Sequence, residues 1–262
     1  MTRVLSGAVL IAIAVAVVWF APPRLFFAVA AAFTIIGAHE LVTLTHASGI
    51  PVPRVASVIA AGLVLVATHP AMPLGALTVT LLAVFLALAL VTLAAWHGGA
   101  DAIARVSASL LPSIYVALPI AALVAIRVRE GPAALFLLLV TVIVSDTAQY
   151  YAGRLFGRRP LAPLISPKKT IEGAVGGFLV GSLALALAGG WWLAEIPVSL
   201  RAALGLAVVA LGIAGDLFES MLKRSAGVKD SSSLIPGHGG VLDRIDALLF
   251  AAPIYYVVLK YV

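Results

Sequence analysis

The chain of 262 residues has no cysteine, which excludes disulfides and thiolate metal sites. It is also poor in charge. Asp, Glu, Lys and Arg make up 11% of it, against about 25% in an ordinary soluble domain. No internal repeat and no low-complexity linker breaks the pattern. These shortages exclude a sizeable soluble domain, and no nucleic-acid partner is expected. What the chain has instead is apolar surface: 63% hydrophobic residues and a mean hydropathy of +1.15. That composition specifies an all-α, polytopic integral membrane protein. The length suits one membrane-embedded domain over 1–262, with N-terminal helices over 1–100 and the site-bearing helices over 101–262.

Apolar runs of about 17–25 residues, separated by Pro, Gly or charge, mark the spans. They fall at about Val4–Phe20, Leu25–Leu44, Val55–Thr68, Leu74–Trp96, Val106–Ile126, Ala133–Tyr151, Ile171–Leu193, Leu200–Phe218 and Ile245–Tyr261. About nine transmembrane helices are therefore expected. The first run lacks a clear cleavage site and reads as a retained helix. Pro112 and Pro119 predict a kink in the fifth, and the eighth should continue as a polar helix to about Arg224. Trp19, Trp96, Trp191 and Trp192 fit an aromatic belt.

Basic residues set the orientation. The loop after the sixth run carries Arg154, Arg158, Arg159, Lys168 and Lys169. The loop after the eighth carries Lys223, Arg224 and Lys229, with Arg244 at its far end. Two helices separate these loops, so both face one side, expected to be the cytoplasm.

The longest polar stretch, Ser220 to Asp246, is the candidate site. Asp243 and Asp246 stand at i, i+3 where the last helix begins, a spacing that can hold a hard divalent cation or simply cap the helix. Asp216, Glu219, Ser220 and Lys223 form one polar stripe, and Asp216, at the end of an apolar run, needs a lysine, an arginine or a metal ion. Gly237-His238-Gly239-Gly240 could bring backbone N–H groups to a phosphate. Asp146 lies inside the sixth run, where a carboxylate is a functional candidate by default. In Ser166-Pro167-Lys168-Lys169, Ser166 reads as an N-cap and Pro167 as a first helical residue, with two lysines at a helix start awaiting an anion. His39 and Glu40 in the second run, and His46, His69 and His97, read as structural. Carboxylates for metal and cations for phosphate, on one face, suit phosphoryl or nucleotidyl transfer between a cytosolic and a bilayer substrate.

The stretch Ser220, Lys223-Arg224, Lys229-Asp230, Pro236, His238-Gly239-Gly240, Asp243-Arg244 and Asp246 resembles the signature of the phosphatidate cytidylyltransferases, the CDP-diacylglycerol synthases. Gly153-Arg154, Gly157 and Ser166 to Gly173 are similar to the same family. One departure is Ala148-Gln149, where the family pattern has Gly or Ala followed by Ala. The first hundred or so residues match only as generic membrane helices. The resemblance implies that CTP and phosphatidic acid give CDP-diacylglycerol and pyrophosphate for phospholipid biosynthesis. It implies Mg²⁺ held by Asp216, Asp243 and Asp246, with Asp146 as a further candidate, and a second cation such as K⁺. Catalysis would fall to Asp216, Lys223, Asp243 and Asp246. Lys223, Arg224, Lys229 and the Gly239-Gly240 turn would bind the triphosphate of CTP, Arg154, Lys168 and Lys169 phosphatidate or pyrophosphate, and Asp230, His238 and Arg244 would be further substrate-binding residues. A homodimer in the cell inner (plasma) membrane is implied too. The competing readings are a CTP-dependent lipid kinase and an ion- or proton-coupled transporter using Asp146 and Asp216; no inverted repeat supports the latter. The Asp-Gly-x-x-Ala-Arg motif of CDP-alcohol phosphotransferases is not found.

Overall fold

A computed structural model describes residues 2–234, 237 and 239–262. Every apolar run forms a helical stretch: α1 Thr2–Phe20, α2 Pro23–Ala47, α3 Arg54–Ala67, α4 Ala76–Ala94, a composite rod over Ala102–Glu130, α7 Pro132–Phe156, α8 Ile171–Trp192, α9 Val198–Ser225 and α10 Leu242–Tyr261. Among the described residues, six of these, namely α2, α4, the rod, α7, α8 and α9, are long and apolar enough to cross a membrane. The 14 residues of α3 reach only about 21 Å at 1.5 Å each, short of a hydrocarbon core of about 30 Å.

The composite rod is not one regular α-helix. It runs as α5 Ala102–Leu111, a π-helical segment Pro112–Ala117, α6 Leu118–Ala125 and a second π segment Ile126–Glu130. Pro112 lacks an N–H and crowds the turn before it. Widening the helix at Pro112 relieves both faults without ending the rod.

Between α7 and α8 the expectation of a helix starting at Ser166 fails. Ser166–Thr170 is a strand, β2, paired antiparallel with β1, Pro160–Ala162. Thr170 is the N-cap: its Oγ1 accepts the Gly173 N–H at 3.0 Å. Lys168 and Lys169 thus stand on a strand, not on a first helical turn. Strand alternation sends them to opposite faces, leaving Lys168 exposed and Lys169 part-buried.

The chain divides into two compact units, neither contiguous in sequence. The first comprises the segment ending at Phe26, Ala122–Met221 and Ile245–Val262. It holds α1, α7, α8, most of α9 and most of α10. Its helices approach through small residues, as bilayer packing favours. A Cβ on Gly173 would lie 2.8 Å from the Gln149 carbonyl oxygen, one on Gly176 2.5 Å from Ala152 Cβ, and one on Gly205 2.7 Å from Ser182 Cα. Trp19, Phe136 and Trp192 meet edge to face, each ring 5.7 Å from the next. That contact puts the end of α1, the start of α7 and the end of α8 at one end of this unit. Arg127 Nε donates to the Val18 carbonyl at the same end, at 2.6 Å.

The second unit comprises Phe27–Ala121 and Leu222–Arg244. Ala38, Ala60, Ala61, Val64, Val84, Leu88 and Ala117 form a buried core in it, drawn from α2, α3, α4 and the π segment at Pro112.

Candidate active site

In the first unit the polar residues gather at the end away from the tryptophans. Lys169 Nζ bonds Asp216 Oδ2 at 2.5 Å, answering the requirement that Asp216 have a partner. Among the described residues, Asp216 Oδ1 has one hydrogen bond, the long 3.4 Å contact from Ser220 Oγ. Asp146 feels the charges of Lys169 and Asp216, so α7, β2 and α9 each bring one charge to the same place. Gln149, the departure from the family pattern, donates to Asp146 Oδ1 at 3.0 Å and to Ser145 Oγ at 3.3 Å. Gly177 makes room for it, since a Cβ there would collide with the Gln149 side chain. Beside Asp216, Gly215 lets α9 touch α10. Its Cβ would lie 2.5 Å from the Asp246 carbonyl oxygen and 3.1 Å from Phe250 Cβ. Asp246 Oδ1 accepts from the Ala247 N–H at 2.8 Å. Glu219, on the same stripe as Asp216, is fully buried.

The β hairpin that delivers Lys169 is itself pinned. Glu172 Oε2 accepts from the backbone N–H groups of Arg158 and Arg159 at 3.0 and 3.2 Å. Arg154 is exposed and its Nη1 donates to Tyr150 Oη at 3.3 Å. The cavity at this hairpin, about 400 Å³, is lined by Leu155, Phe156, Gly157, Arg158, Arg159 and Glu172.

In the second unit Lys223 Nζ bonds Asp243 Oδ1 at 2.5 Å, and both side chains are largely buried. Asp243 Oδ2 takes three more donors: the Ser231 N–H at 2.9 Å, Ser231 Oγ at 2.8 Å and the Gly240 N–H at 2.7 Å. The glycines here serve close approach. Gly239 has φ +77°, and a Cβ on it would lie 2.5 Å from Asp243 Oδ2. Arg224 Nη1 donates to the Val228 carbonyl at 3.1 Å. Lys229, Asp230 and Arg244 are exposed. His238 and Pro236 lie outside the described residues.

Glu40 is the residue that reading from the sequence missed. It is 3% exposed and accepts four hydrogen bonds from the same polar loop: Ser232 Oγ at 2.7 Å, Leu242 N–H at 2.8 Å, Val241 N–H at 3.0 Å and Ser231 Oγ at 3.1 Å. The available signal was its position, a carboxylate inside an apolar run.

A hard divalent cation takes carboxylate oxygens, and the donors here fit one unequally. Asp216 has an oxygen with only one long contact, whereas the oxygens of Asp243 accept four donors between them. Among the described residues no three carboxylate or imidazole groups are already drawn together as a ligand shell.

A family model described as the cytidylyltransferase family matches residues 1–262. A protein of Mycobacterium bovis called phosphatidate cytidylyltransferase is 32% identical over 270 residues, covering 97% of this chain and 84% of that one. Proteins of the same name from Haemophilus influenzae and Aquifex aeolicus are 47% and 42% identical over 129 and 127 residues. Those two matches cover 46% and 48% of this chain, and the chain spans about half the length of these relatives, 44% and 46%. With a match from one end of the sequence to the other, the chain belongs to the cytidylyltransferase family.

Proposed function

We propose that this membrane protein transfers the cytidylyl group of CTP to phosphatidic acid, releasing pyrophosphate and CDP-diacylglycerol. The observation that carries the reading is the pair of lysine–carboxylate contacts, Lys169 with Asp216 and Lys223 with Asp243. A lysine seated on a carboxylate is a cation with an exchangeable partner. A substrate phosphate, carrying more charge than a carboxylate, draws the lysine to itself and leaves carboxylate oxygen for a metal ion. Both substrates are strongly anionic, so this neutralisation precedes any approach of one to the other.

Lys223, Arg224, Lys229 and Arg244, with Asp230, His238 and the Gly239-Gly240 turn, bind CTP. Lys168, Lys169 and Arg154 hold phosphatidate or the departing pyrophosphate. A phosphatidate oxygen forms a bond to the α-phosphorus of CTP, and the bond from that phosphorus to the bridging oxygen of pyrophosphate breaks. The attacking oxygen is already ionised at neutral pH, so no strong general base is required. Bound Mg²⁺ supplies charge neutralisation and alignment of phosphate oxygens. Asp216, Asp243, Asp246 and Asp146 would hold it, and a second cation such as K⁺ would stand nearby. The basic loops favour a site on the cytoplasmic side of a bacterial plasma membrane, and the family resemblance favours a homodimer.

Purified protein given labelled CTP, phosphatidate and Mg²⁺ should release pyrophosphate and CDP-diacylglycerol in equal amounts, and EDTA should stop it. Release of CDP with a newly phosphorylated lipid would replace this reading by a lipid kinase. Ion flux in proteoliposomes without CTP turnover would replace it by a transporter.

A further inference from the structure

We infer that Glu40 is a positioning residue for the nucleotide end of the site, which rests on the cytidylyl-transfer reading above. Glu40 lies on α2, in a segment that resembles the family only as generic membrane helix. Its carboxylate nevertheless takes hydrogen bonds from residues 191 to 202 positions away. Two of the donors are the N–H groups of Val241 and Leu242, where α10 begins. A helix N-terminus attracts an anion because its first N–H groups have no partner inside the helix. Here Glu40 is that anion, so these N–H groups are committed before any substrate arrives and phosphate is left to the lysines. The other two donors are Ser231 and Ser232, at the opposite end of the glycine-rich loop. One side chain therefore ties both ends of the loop together.

The surroundings are shaped to admit it. A Cβ on Gly240 would collide with Glu40 Oε1 and with Ser231 Oγ. Gly37, one turn before Glu40, seats Leu242: a Cβ there would stand 3.4 Å from Leu242 Cδ2. Ser231 Oγ lies 3.1 Å from Glu40 and 2.8 Å from Asp243. Through that hydroxyl Glu40 sets the place of Asp243, and through Asp243 the place of Lys223. The expected consequence is specific. Loosening Glu40 harms the grip on CTP, which Lys223 and the loop supply, and spares the grip on phosphatidate, which is assigned to residues of the other unit.

The test compares the wild type with Glu40→Gln, Glu40→Ala and the milder Ser232→Ala, each purified as full-length protein. Gln keeps the size of Glu but turns one acceptor into a donor, so the Val241 or the Leu242 N–H loses its partner. Amide hydrogen exchange in the loop and first turn of α10 should then rise at least about tenfold, the loss expected for a hydrogen bond to a charged acceptor. The KM for CTP should rise by about the same factor, with the KM for phosphatidate within about twofold of wild type. Ser232→Ala should shift both readings in the same direction, by about threefold, and it keeps the test decisive if the Glu40 variants do not fold. Unchanged exchange in the loop overturns the inference. So does an equal rise in both KM values, or a lowered kcat with both KM values intact, the pattern of a merely structural residue. A wild type that makes no CDP-diacylglycerol would instead sink the functional reading, and the exchange measurement would still decide the role of Glu40 in the loop.

Discussion

Replacing Asp243 by Asn and Lys223 by Met, singly and together, measures the central ion pair. Both side chains are largely buried, with 6% and 11% of their surface exposed, so screening by solvent offers little relief. Lys223→Met removes one charge-assisted hydrogen bond but leaves Asp243 the donors Ser231 and Gly240. That loss should cost about 1.5–3 kcal/mol. Asp243→Asn is worse. It breaks the Lys223–Asp243 ion pair from the acidic side, which costs about 3–5 kcal/mol in a buried setting. Whichever way the new amide turns, its NH₂ faces a donor, either Lys223 Nζ or the N–H groups of Ser231 and Gly240. If the pair is real, the double variant should cost no more than Asp243→Asn alone, about 3–5 kcal/mol, because that change by itself already breaks the shared contact. Independent residues would give the sum, about 4.5–8 kcal/mol. SDS titration of the purified protein in mixed micelles, followed by tryptophan fluorescence, resolves that difference. A double variant that loses the full sum would refute the coupling, and with it the exchangeable lysine on which the mechanism rests.

Asp216→Asn and Lys169→Met should each lower cytidylyl transfer by about 100-fold or more while the protein still inserts and purifies, since each removes a group proposed to face the reacting phosphates; retained activity in either would remove that residue from the mechanism. Gly205→Ala should lower the melting temperature in detergent by forcing α8 from α9, at a cost of about 1–3 kcal/mol. Gly62→Ala on α3, where nothing lies within 4 Å of the new Cβ, is the control and should be neutral or slightly stabilising; equal losses at both glycines would refute the packing argument.

The helices were legible because a bilayer allows an open chain no other backbone. Once an apolar run exceeds about 17 residues, its fold follows. The β hairpin was not legible, and the reason lies in Ser166-Pro167. A residue before proline is pushed to extended backbone, which suits an N-cap and a strand equally. Thr170 settled the matter by capping α8 four residues later than Ser166 would have. The contact that matters most here, Lys169 with Asp216, is a product of that strand, because alternation aims only one of two adjacent lysines inward. Asp216 advertised its need for a partner through its place in an apolar run, but which of several cations would answer was a question of tertiary structure. Glu40 was hidden for the same reason. Its sequence neighbours are apolar helix, and all four of its donors come from beyond residue 230.

Comparing the carboxylates by what already occupies their oxygens divides the labour among them. Every buried carboxylate in a membrane-embedded site must be satisfied when the site is empty, or its burial would cost several kcal/mol. Glu40 meets that demand with four donors and Asp243 with a lysine and three donors. Both accept backbone N–H groups, Glu40 those of Val241 and Leu242 where α10 begins and Asp243 those of Ser231 and Gly240 in the loop before it. Asp216 meets it with one lysine and one long hydroxyl contact, both on side chains. Side chains can exchange partners at little cost, whereas a helix start cannot. Asp216 is therefore better suited than Asp243 to trade its lysine during turnover, and Glu40 is suited to keep the loop in place while either does.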